Sequence, residues 1–524
     1  MRQHGTRVAP GLSLAAALLL VCGAAAAQPV RSFDVEEYRV EGNSVLPDTA
    51  VEDSVYPFLG PGRTAEDVEH ARAALEAVYA KQGYPTVSVE LPAQSVRDGV
   101  VVLKVVERRV GRLRVRGSRY FALSEIRDGA PSLAEGTVPR MADVQRDIVN
   151  LNQWPDRTVT PVLRPGEVAG TVDVDLQVKD SLPLQATLEV NNRHSADTTP
   201  LRATGSLSYN NLWQRGDSAS VSFQVAPQRP ADAGVWSGSY LFRIPSSRLS
   251  LVLSYLNSNS NVSTLGGTNV LGRGSVLGLR LLVPVTAEAA FSQSLSIGLD
   301  RKDFNDITEL GAASSSAPIL YYPVSITWQA GWTTEAAQTA ATVSYVAALP
   351  GVGSSTPEFD AVRAYAKPGF AYVRVDGSRL QELPYGLQAF LHVQGQITDQ
   401  PLISNEQLSA GGVDTVRGYL ESEALGDYGV VSQAELRSWQ LAGDGGGILT
   451  DLRGYAFVDG GGVAIHQPLP EQRASDGLAA RGLGVRVRVR DALAAEMAGA
   501  HTLTSGPTTK AGTTALLFRV NGAF

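Results

Sequence analysis

Residues 485–490 read Val-Arg-Val-Arg-Val-Arg, and this strict alternation of apolar and charged residues decides the fold. A period of two places the valines on one face of a β-strand and the arginines on the other. The same period recurs in residues 220–225 and 248–254. A soluble sandwich with a dry core would also contain such strands. Arginines and glutamines on the polar face, however, suit a water-filled lumen better than a surface packed against a second sheet.

The candidate strands are numerous and about ten residues long, as a tilted strand that crosses a bilayer requires. They number sixteen, and an even number is usual for a single-chain bacterial barrel. The predicted fold class is therefore β, with a transmembrane β-barrel of about 16 antiparallel strands over residues 184–524. Aromatic residues near strand ends, among them Trp236, Tyr321 and Trp332, could form interfacial girdles. The predicted strands are Gln185–Asn192, Leu201–Asn210, Asp217–Ala226, Val235–Ile244, Arg248–Asn257, Gly274–Val283, Ala290–Asp300, Ile319–Ala330, Gln338–Ala347, Phe370–Val375, Tyr385–Gln396, Gly429–Trp439, Leu452–Val463, Ala479–Arg490, Leu493–Leu503 and Thr513–Ala523.

The first 27 residues have the pattern of a secretory signal peptide. Arg2 and Arg7 form a short positive region, residues 12–21 are apolar, and residues 24–27 are alanines. A membrane anchor is the alternative, but the apolar run is short for a span and passes directly into small residues. We therefore predict cleavage after residue 27.

Cysteine content and net charge exclude several classes of protein. The single cysteine, Cys22, lies inside the predicted signal peptide, so the mature chain is expected to have no disulfide and no thiol nucleophile. A lipoprotein would carry a small residue before the lipidated cysteine, and Val21 is not small. The 45 Lys and Arg against 52 Asp and Glu give a net charge of −7, which argues against nucleic acid as a partner.

Two units of similar plan, residues 33–109 and 110–181, precede the predicted barrel. Each reads as a strand, a short helix, a longer helix and two closing strands. In the first unit Thr64 and Asp67 resemble a capping pair for the longer helix, whose apolar face would be Val68, Ala71, Leu75, Val78 and Tyr79. In the second unit the longer helix would be Met141–Leu151, with Met141, Val144, Ile148 and Leu151 on one face.

One connection within the barrel differs from a simple surface loop. Residues of about 400–428 contain Gly411-Gly412 and then Val416-Arg417-Gly418-Tyr419. Glycines permit tight turns, which would let the tip of the loop fold into a confined lumen. An arginine carried inside a barrel needs a carboxylate partner, because an unpaired buried charge is costly. Asp459 is a candidate partner, although an aspartate on a barrel strand is more often a solvated lumen residue.

These motifs and the two preceding units resemble the TpsB transporters of two-partner secretion, the haemolysin secretion/activation proteins of the ShlB and FhaC type, which are related to BamA. The resemblance covers nearly the whole mature chain and implies that the two units are POTRA domains. It identifies Val416, Arg417, Gly418 and Tyr419 as the motif of an inward-folded loop. It identifies Phe457, Asp459 and Gly461 as a barrel-strand motif, and it implies that Arg417 and Asp459 interact. Some members carry an N-terminal plug helix, for which the five residues 28–32 leave no room.

The function that this resemblance implies is transport. POTRA domains in the periplasm would recognise a partner exoprotein, a TpsA-like adhesin or haemolysin, and the barrel would translocate it to the cell surface, with or without activation. Outer-membrane lipid and the barrel-assembly machinery would be further partners. The terminal Phe524, which closes the last strand, is suggestive of a barrel-assembly signal.

Three other functions are alternatives to export. An outer-membrane protein assembly or insertion factor would share the fold and the motifs, but often carries more POTRA domains. A passive porin would need neither POTRA units nor an inward loop. An enzyme is not expected, because there is no Gly-x-Ser-x-Gly motif and no pair of histidines at metal-ligand spacing; neither a cofactor nor a metal is predicted.

Overall fold

The computed structural model describes residues 32–524 except 97, 153, 155, 246, 261, 266–267, 272, 289, 311–312, 443–446 and 491. The predicted signal peptide, residues 1–27, and the short segment after it lie outside the described residues. The chain divides into two compact units. One contains most residues up to 178, and the other contains residues 117–125, 154–158 and 179–524. The predicted boundaries at 109, 181 and 184 remain predictions.

The N-terminal part of the first unit is built around one long helix, Ala65–Lys81. Thr64 and Asp67 form the predicted capping box, in which each side chain bonds to the backbone N–H of the other residue. Val68, Ala71, Leu75 and Tyr79 are buried, as expected from their helical spacing. A three-stranded sheet has the order Glu37–Glu41, Val100–Val106, Ser88–Glu90. The pairing of Phe33–Val35 with Gly60–Arg63 was not predicted. A shorter helix, Asp48–Val55, and the 3-10 turn Tyr56–Phe58 complete this part.

The second α+β part repeats this plan with the sheet order Arg109–Arg116, Thr171–Asp180, Arg157–Pro165. The helix Met141–Leu151 has the predicted bounds and buries Val144 and Leu151. The prediction that Met141 belongs to its apolar face is wrong, because Met141 is exposed at the first turn. Asp147 is buried instead, and its carboxylate accepts the Ser132 N–H at 2.9 Å. Helix Leu123–Asp128 and the 3-10 turn Pro131–Leu133 complete the part.

The C-terminal part is a closed antiparallel barrel of sixteen wall strands. The eighth is interrupted: Ala313–Tyr321 and Pro323–Thr333 both pair with Phe291–Leu310, with a break at Tyr322. Our prediction of one continuous strand, Ile319–Ala330, was wrong at this point, where Pro323 has no N–H to donate to the ladder. The wall strands are Leu184–Asn191, Arg202–Leu212, Asp217–Val225, Gly234–Arg243, Ser250–Ser258, Gly274–Ala287, Phe291–Leu310, the interrupted Ala313–Tyr321 and Pro323–Thr333, Ala337–Ala348, Ala371–Glu382, Gln388–Ile397, Tyr428–Arg437, Leu449–Ala464, Ser475–Val489, Leu493–Thr502 and Thr514–Ala523.

Side chains alternate between an apolar outer face and a polar lumen along the wall. In Ser475–Val489, Leu483 and Val485 are exposed on the outside, whereas Arg486 is ion-paired inside. Trp236 and Trp332 are exposed, in agreement with the predicted girdles. The prediction that Tyr321 is a girdle residue is wrong. Tyr321 is buried, and its hydroxyl donates to Glu406 at 2.6 Å. Among the described residues, no helix is both long and apolar enough to span a bilayer.

The barrel closes between its first and last strands. Five residue pairs, from Arg519 opposite Asn191 to Ala523 opposite Thr187, form this seam. Phe524 extends it: its N–H donates to the carbonyl of Ala186 at 2.9 Å, and its carbonyl accepts the Ala186 N–H at 3.0 Å. The C-terminal residue therefore takes part in closing the barrel through its backbone, while its ring is exposed.

Candidate functional site

The connection between the strands Gln388–Ile397 and Tyr428–Arg437, residues 398–427, folds back against the lumen wall; we call it the inward loop. It contains the 3-10 turn Ser404–Glu406 and a short hairpin of Leu408–Ala410 with Ala424–Gly426. Most of its residues from Leu402 to Tyr419 are buried. Gly411, Gly412 and Gly418 all have positive φ, so the chain turns at positions where side chains are disfavoured.

Arg417 is the residue of this loop that is most firmly held. Its Nε and Nη2 donate to the two oxygens of Asp459 at 2.7 Å each, and its backbone N–H donates to the same carboxylate at 3.0 Å. The guanidinium also lies 3.7 Å from the centre of the Phe457 ring. Arg417 and Asp459 are 3% and 1% exposed, so this is a buried, bidentate ion pair. The predicted salt bridge is thus present.

Arg417 also reaches a second acid that sequence reasoning missed. Its Nη1 donates to Glu435 at 2.6 Å, and Glu435 accepts further bonds from Arg437 and Arg486 at 2.8–2.9 Å. Glu435, Arg437 and Arg486 were predicted to lie on strands, with a polar face toward the lumen. Their meeting depends on the register between three strands, which the sequence does not give.

The network continues from Arg486 to Glu496. Arg486 Nε donates to Glu496 at 2.9 Å, and the hydroxyl of Tyr455 donates to the same carboxylate at 2.6 Å. Arg519, on the last strand, approaches Glu496 at 3.2 Å. Four arginines and three carboxylates thus form one connected lumen cluster beneath the loop tip. Its members are Arg417, Arg437, Arg486, Arg519, Glu435, Asp459 and Glu496.

The other residues of the loop motif position Arg417. Val416 is fully buried in an apolar cluster that includes Val431 and Leu478. The Tyr419 hydroxyl lies 2.9 Å from the carbonyl of Ala479 and 2.7 Å from that of Thr504. A Cβ on Gly418 would come within 3.2 Å of side chains of Ala500 and Thr502. Both sides of Arg417 are therefore fixed against the barrel wall.

The barrel-strand motif lies on the lumen face of Leu449–Ala464. Phe457 and Asp459 are buried, whereas Val458 between them is exposed on the outside. Gly461 belongs to the same face by alternation, and a Cβ there would approach Val431 Cγ1 to 2.5 Å. The three residues respectively supply a ring under the guanidinium, a carboxylate, and room for the neighbouring strand.

A second anchor holds the base of the loop. Asp427 is fully buried and forms a bidentate ion pair with Arg363, which follows the helix Thr356–Val362. Asp427 also accepts the N–H of Leu402 at 3.0 Å and that of His466 at 2.7 Å. The helix inserts Phe359 into an apolar cluster with Leu402 and Ile403. A surface connection and the inward loop are therefore packed together.

A third anchor is Glu406, which is 1% exposed. Lys302 and Tyr321 donate to one carboxylate oxygen at 2.6 Å each, and Tyr372 donates to the other at 2.8 Å. Burial alone would raise the pKa of Glu406. The Lys302 ammonium and the two hydroxyls outweigh burial and hold that pKa below its usual value. Glu406 is therefore a satisfied buried anion.

The far side of the loop contacts the ends of the barrel chain. Glu421 pairs with Arg193 at 3.0 Å, just after the first strand. Glu423 accepts the N–H of Thr509 at 2.6 Å in the hairpin before the last strand. No group of three or more His, Cys, Asp or Glu residues that could hold a metal occurs in the described part of the chain.

Comparisons with known proteins agree with this architecture. A family model described as haemolysin secretion/activation protein ShlB/FhaC/HecB matches residues 170–487, and a ShlB-type POTRA model matches residues 33–108. The chain is 22% identical over 444 residues to the outer membrane transporter CdiB of Dickeya dadantii, covering 83% of this chain and 77% of that protein. It is 21% identical over 397 residues to the heme/hemopexin transporter protein HuxB of Haemophilus influenzae, covering 73% and 68% respectively. The structure of CdiB from Escherichia coli has a similar fold, with a TM-score of 0.63 at 19% identity over 95% of this chain and 92% of that one.

Proposed function

Because the chain belongs to the haemolysin secretion/activation protein family ShlB/FhaC/HecB, an outer-membrane transporter family, we propose that it receives one partner exoprotein in the periplasm and passes it through the barrel lumen to the surface. The observation that carries this proposal is the inward loop. A loop held by buried ion pairs at Arg417, Glu406 and Asp427 occupies lumen space that a moving chain needs. Such a loop suits a gate that opens on demand.

The gate would open by release of Arg417 from Asp459. Loop and wall are joined there by charges and hydrogen bonds, which a hydrated lumen can replace with water once the contact loosens. The apolar contacts of Val416 and Tyr419 would then follow. Neither a bound nucleotide nor a chemical step is required, and folding of the exported chain outside would supply the driving force.

The cargo would enter by adding a strand to a free sheet edge in the N-terminal arm. Hydrogen bonds from side chains or from a neighbouring backbone segment already cover part of three edge strands. Arg72 and Glu76 bond to the backbone of Val89, Asn152 bonds to that of Val159, and the segment 135–137 bonds to Val110. No described hydrogen bond from another element reaches the outer side of Glu37–Glu41. We therefore propose Glu37–Glu41 as the docking edge.

An assembly factor for other outer-membrane proteins is the alternative function. It would share the barrel and the POTRA plan. Membership of a secretion family favours export of one dedicated partner. The two functions differ in outcome: loss of an exporter removes one surface protein, whereas loss of an assembly factor lowers the levels of many barrels.

The test is export of a TpsA-like exoprotein that is co-expressed with this chain. Wild-type chain should bring it to the surface, and a chain without residues 33–108 should insert but leave the partner in the periplasm. The mature chain is expected to lack cysteine, so Arg39→Cys should form a disulfide with a cysteine placed in the partner's N-terminal region. Glu90→Cys, on a covered edge, is the matched control. Export without residues 33–108, or equal crosslinking at both positions, would contradict the proposal.

Biogenesis forms a separate part of the proposal. We infer that the arm comprises two POTRA domains, 33–109 and 110–181, and that the barrel-assembly machinery inserts residues 184–524 into lipid. Phe524 would be read during this step. Deleting Phe524 should slow insertion, measured as the heat-modifiable folded form, while Phe524→Trp should not.

A further inference from the structure

Arg481 is a wall arginine whose side chain faces outward. In the strand Ser475–Val489, Leu478 and Ala480 are buried toward the lumen, and Leu483 is 70% exposed on the outside. Arg481 is exposed and shares the parity of Leu483. Its cross-strand neighbours are Val458, which is 61% exposed, and His501. Its side chain therefore lies on the surface that contacts lipid.

This arginine has no partner among the described residues. Two other arginines of the described wall, Arg301 and Arg379, share the parity of outward-facing neighbours, and both are paired. Arg301 bonds to Asp303 at 2.7 Å, and Arg379 bonds to Gln381 at 2.6 Å and Thr339 at 3.1 Å. An unpaired cation that faces lipid is unfavourable. An anionic ligand from the membrane would supply the missing partner.

The surroundings leave space for one. Ser475–Val489 is the fourteenth wall strand, so it starts at the cell-surface end of a barrel whose first strand starts at the periplasmic end. The outward positions between Arg481 and that end are Ala479 and Gly477, and a Cβ on Gly477 would meet no atom within 4 Å. The long stem of Arg481 can thus extend toward the outer headgroups without obstruction.

His501 supplies a second polar group beside Arg481. The two residues are directly opposite each other in the register, which places their Cβ atoms roughly 5 Å apart. The Nδ1 of His501 lies 3.1 Å from the hydroxyl of Thr514, and its Nε2 has no described partner. A guanidinium and an imidazole N–H side by side match the oxygens of a phosphate group.

We propose that Arg481 and His501 bind the phosphate of an outer-leaflet lipid headgroup. The inference goes beyond export, since it concerns the outer wall and rests on the outer-membrane location alone. Arg481 supplies the charge and a forked pair of donors, and His501 adds one donor. The lipid would be held next to the strands that carry Asp459 and the last hairpin.

The test uses the full-length protein in micelles of dodecyl maltoside, a detergent without phosphate, with diphosphoryl lipid A as the probe and native mass spectrometry as the readout. Arg481→Gln should weaken lipid A binding about tenfold, because a charge-assisted contact is lost. His501→Gln should weaken it less. Arg379→Gln, which removes an outward arginine elsewhere, should leave binding unchanged, and lipid A without phosphates should bind wild type and Arg481→Gln equally.

A second measurement covers the case in which Arg481→Gln inserts poorly. Arg481→Leu should make the barrel more heat-stable than wild type in dodecyl maltoside, which offers the charge no phosphate, and less stable than wild type when lipid A is present. Equal lipid A binding by wild type and Arg481→Gln would overturn the proposal. So would an equal loss in Arg379→Gln, or a stability difference between Arg481→Leu and wild type that has the same sign with and without lipid A.

Discussion

Replacing Arg417 by methionine tests whether the Arg417–Asp459 ion pair holds the inward loop in the lumen. The substitution keeps an unbranched apolar stem and removes the guanidinium, and with it the two side-chain bonds to Asp459 and the one to Glu435. Asp459 is then a buried carboxylate without its cation. Loss of one partner of a buried pair costs about 3–5 kcal/mol. The equilibrium between closed and released loop should shift toward release by about two to nearly four orders of magnitude.

A cysteine at position 415 can report this shift. Thr415 is 4% exposed, and its hydroxyl has no hydrogen-bond partner, so Thr415→Cys removes no bond. The only cysteine of the sequence, Cys22, lies in the predicted signal peptide. When the loop recloses faster than maleimide reacts, the labelling rate is proportional to the released fraction. The rate should therefore rise at least about a hundredfold in Arg417→Met.

Arg437→Met is the matched control. Arg437 donates to the same Glu435 at 2.9 Å, but lies on the wall and has no described hydrogen bond or ion pair with the loop. Its removal should change the labelling rate at position 415 by less than about tenfold. An unchanged labelling rate in a folded Arg417→Met barrel, or an equal rise in both variants, would refute the idea that the Arg417–Asp459 ion pair holds the loop.

Four further predictions address other contacts. Arg363→Gln leaves buried Asp427 without its cation, so proteinase K should cut residues 349–370 faster, whereas Arg379→Gln should not change cleavage. Gly418→Ala should raise labelling at position 415 roughly tenfold, because a side chain there has φ of +96° and meets Ala500 and Thr502, while Gly477→Ala should have no effect. Thr64→Ala removes the helix cap and should lower the opening free energy of helix Ala65–Lys81, measured by hydrogen exchange, by about 1 kcal/mol. Backbone and side-chain bonds from Thr64 lower the pKa of Asp67 below 3.8. The contribution of Asp67 to helix stability is therefore present at neutral pH and is lost as pH falls below about 4. Hydrogen exchange of the helix that is insensitive to pH in this range would contradict this.

The barrel strands could be predicted from the sequence because the alternation of apolar and polar residues is a local pattern. Each wall strand carries its own alternation, so every predicted strand has an observed counterpart. The eighth is interrupted, and two predicted strands were too short: Ala290–Asp300 extends to Leu310, and Phe370–Val375 extends to Glu382. That interruption depends on Pro323, whose effect on the ladder is clear only once Phe291–Leu310 is known to pair with both halves. The position of Tyr321 was predicted wrongly for a related reason. The local sequence around an aromatic residue near a strand end is the same whether the ring faces lipid or a buried acid.

The site was only partly readable. Arg417 and Asp459 were predicted through a family motif. Glu435, Arg486, Glu406 and Asp427 were not, since each has partners 18 to 104 residues away in the chain. Pairing at such separations depends on strand register and loop placement, which no local pattern contains. A charged residue at a lumen position was the only available signal, and solvated lumen residues share it.

The two acids under Arg417 differ in a way that determines how the loop is released. Glu435 keeps Arg437 and Arg486 when Arg417 departs, so it remains neutralised. Asp459 has no other described cation, and both of its oxygens bond to Arg417. The cost of opening therefore falls mainly on Asp459, which must be hydrated as the arginine leaves. Asp459→Asn should lower that cost more than Glu435→Gln, because an amide is less costly to leave unpaired than a carboxylate. Asp459 would then be the acid that sets the free energy of loop release, while Arg437 and Arg486 keep Glu435 neutralised after the loop has left.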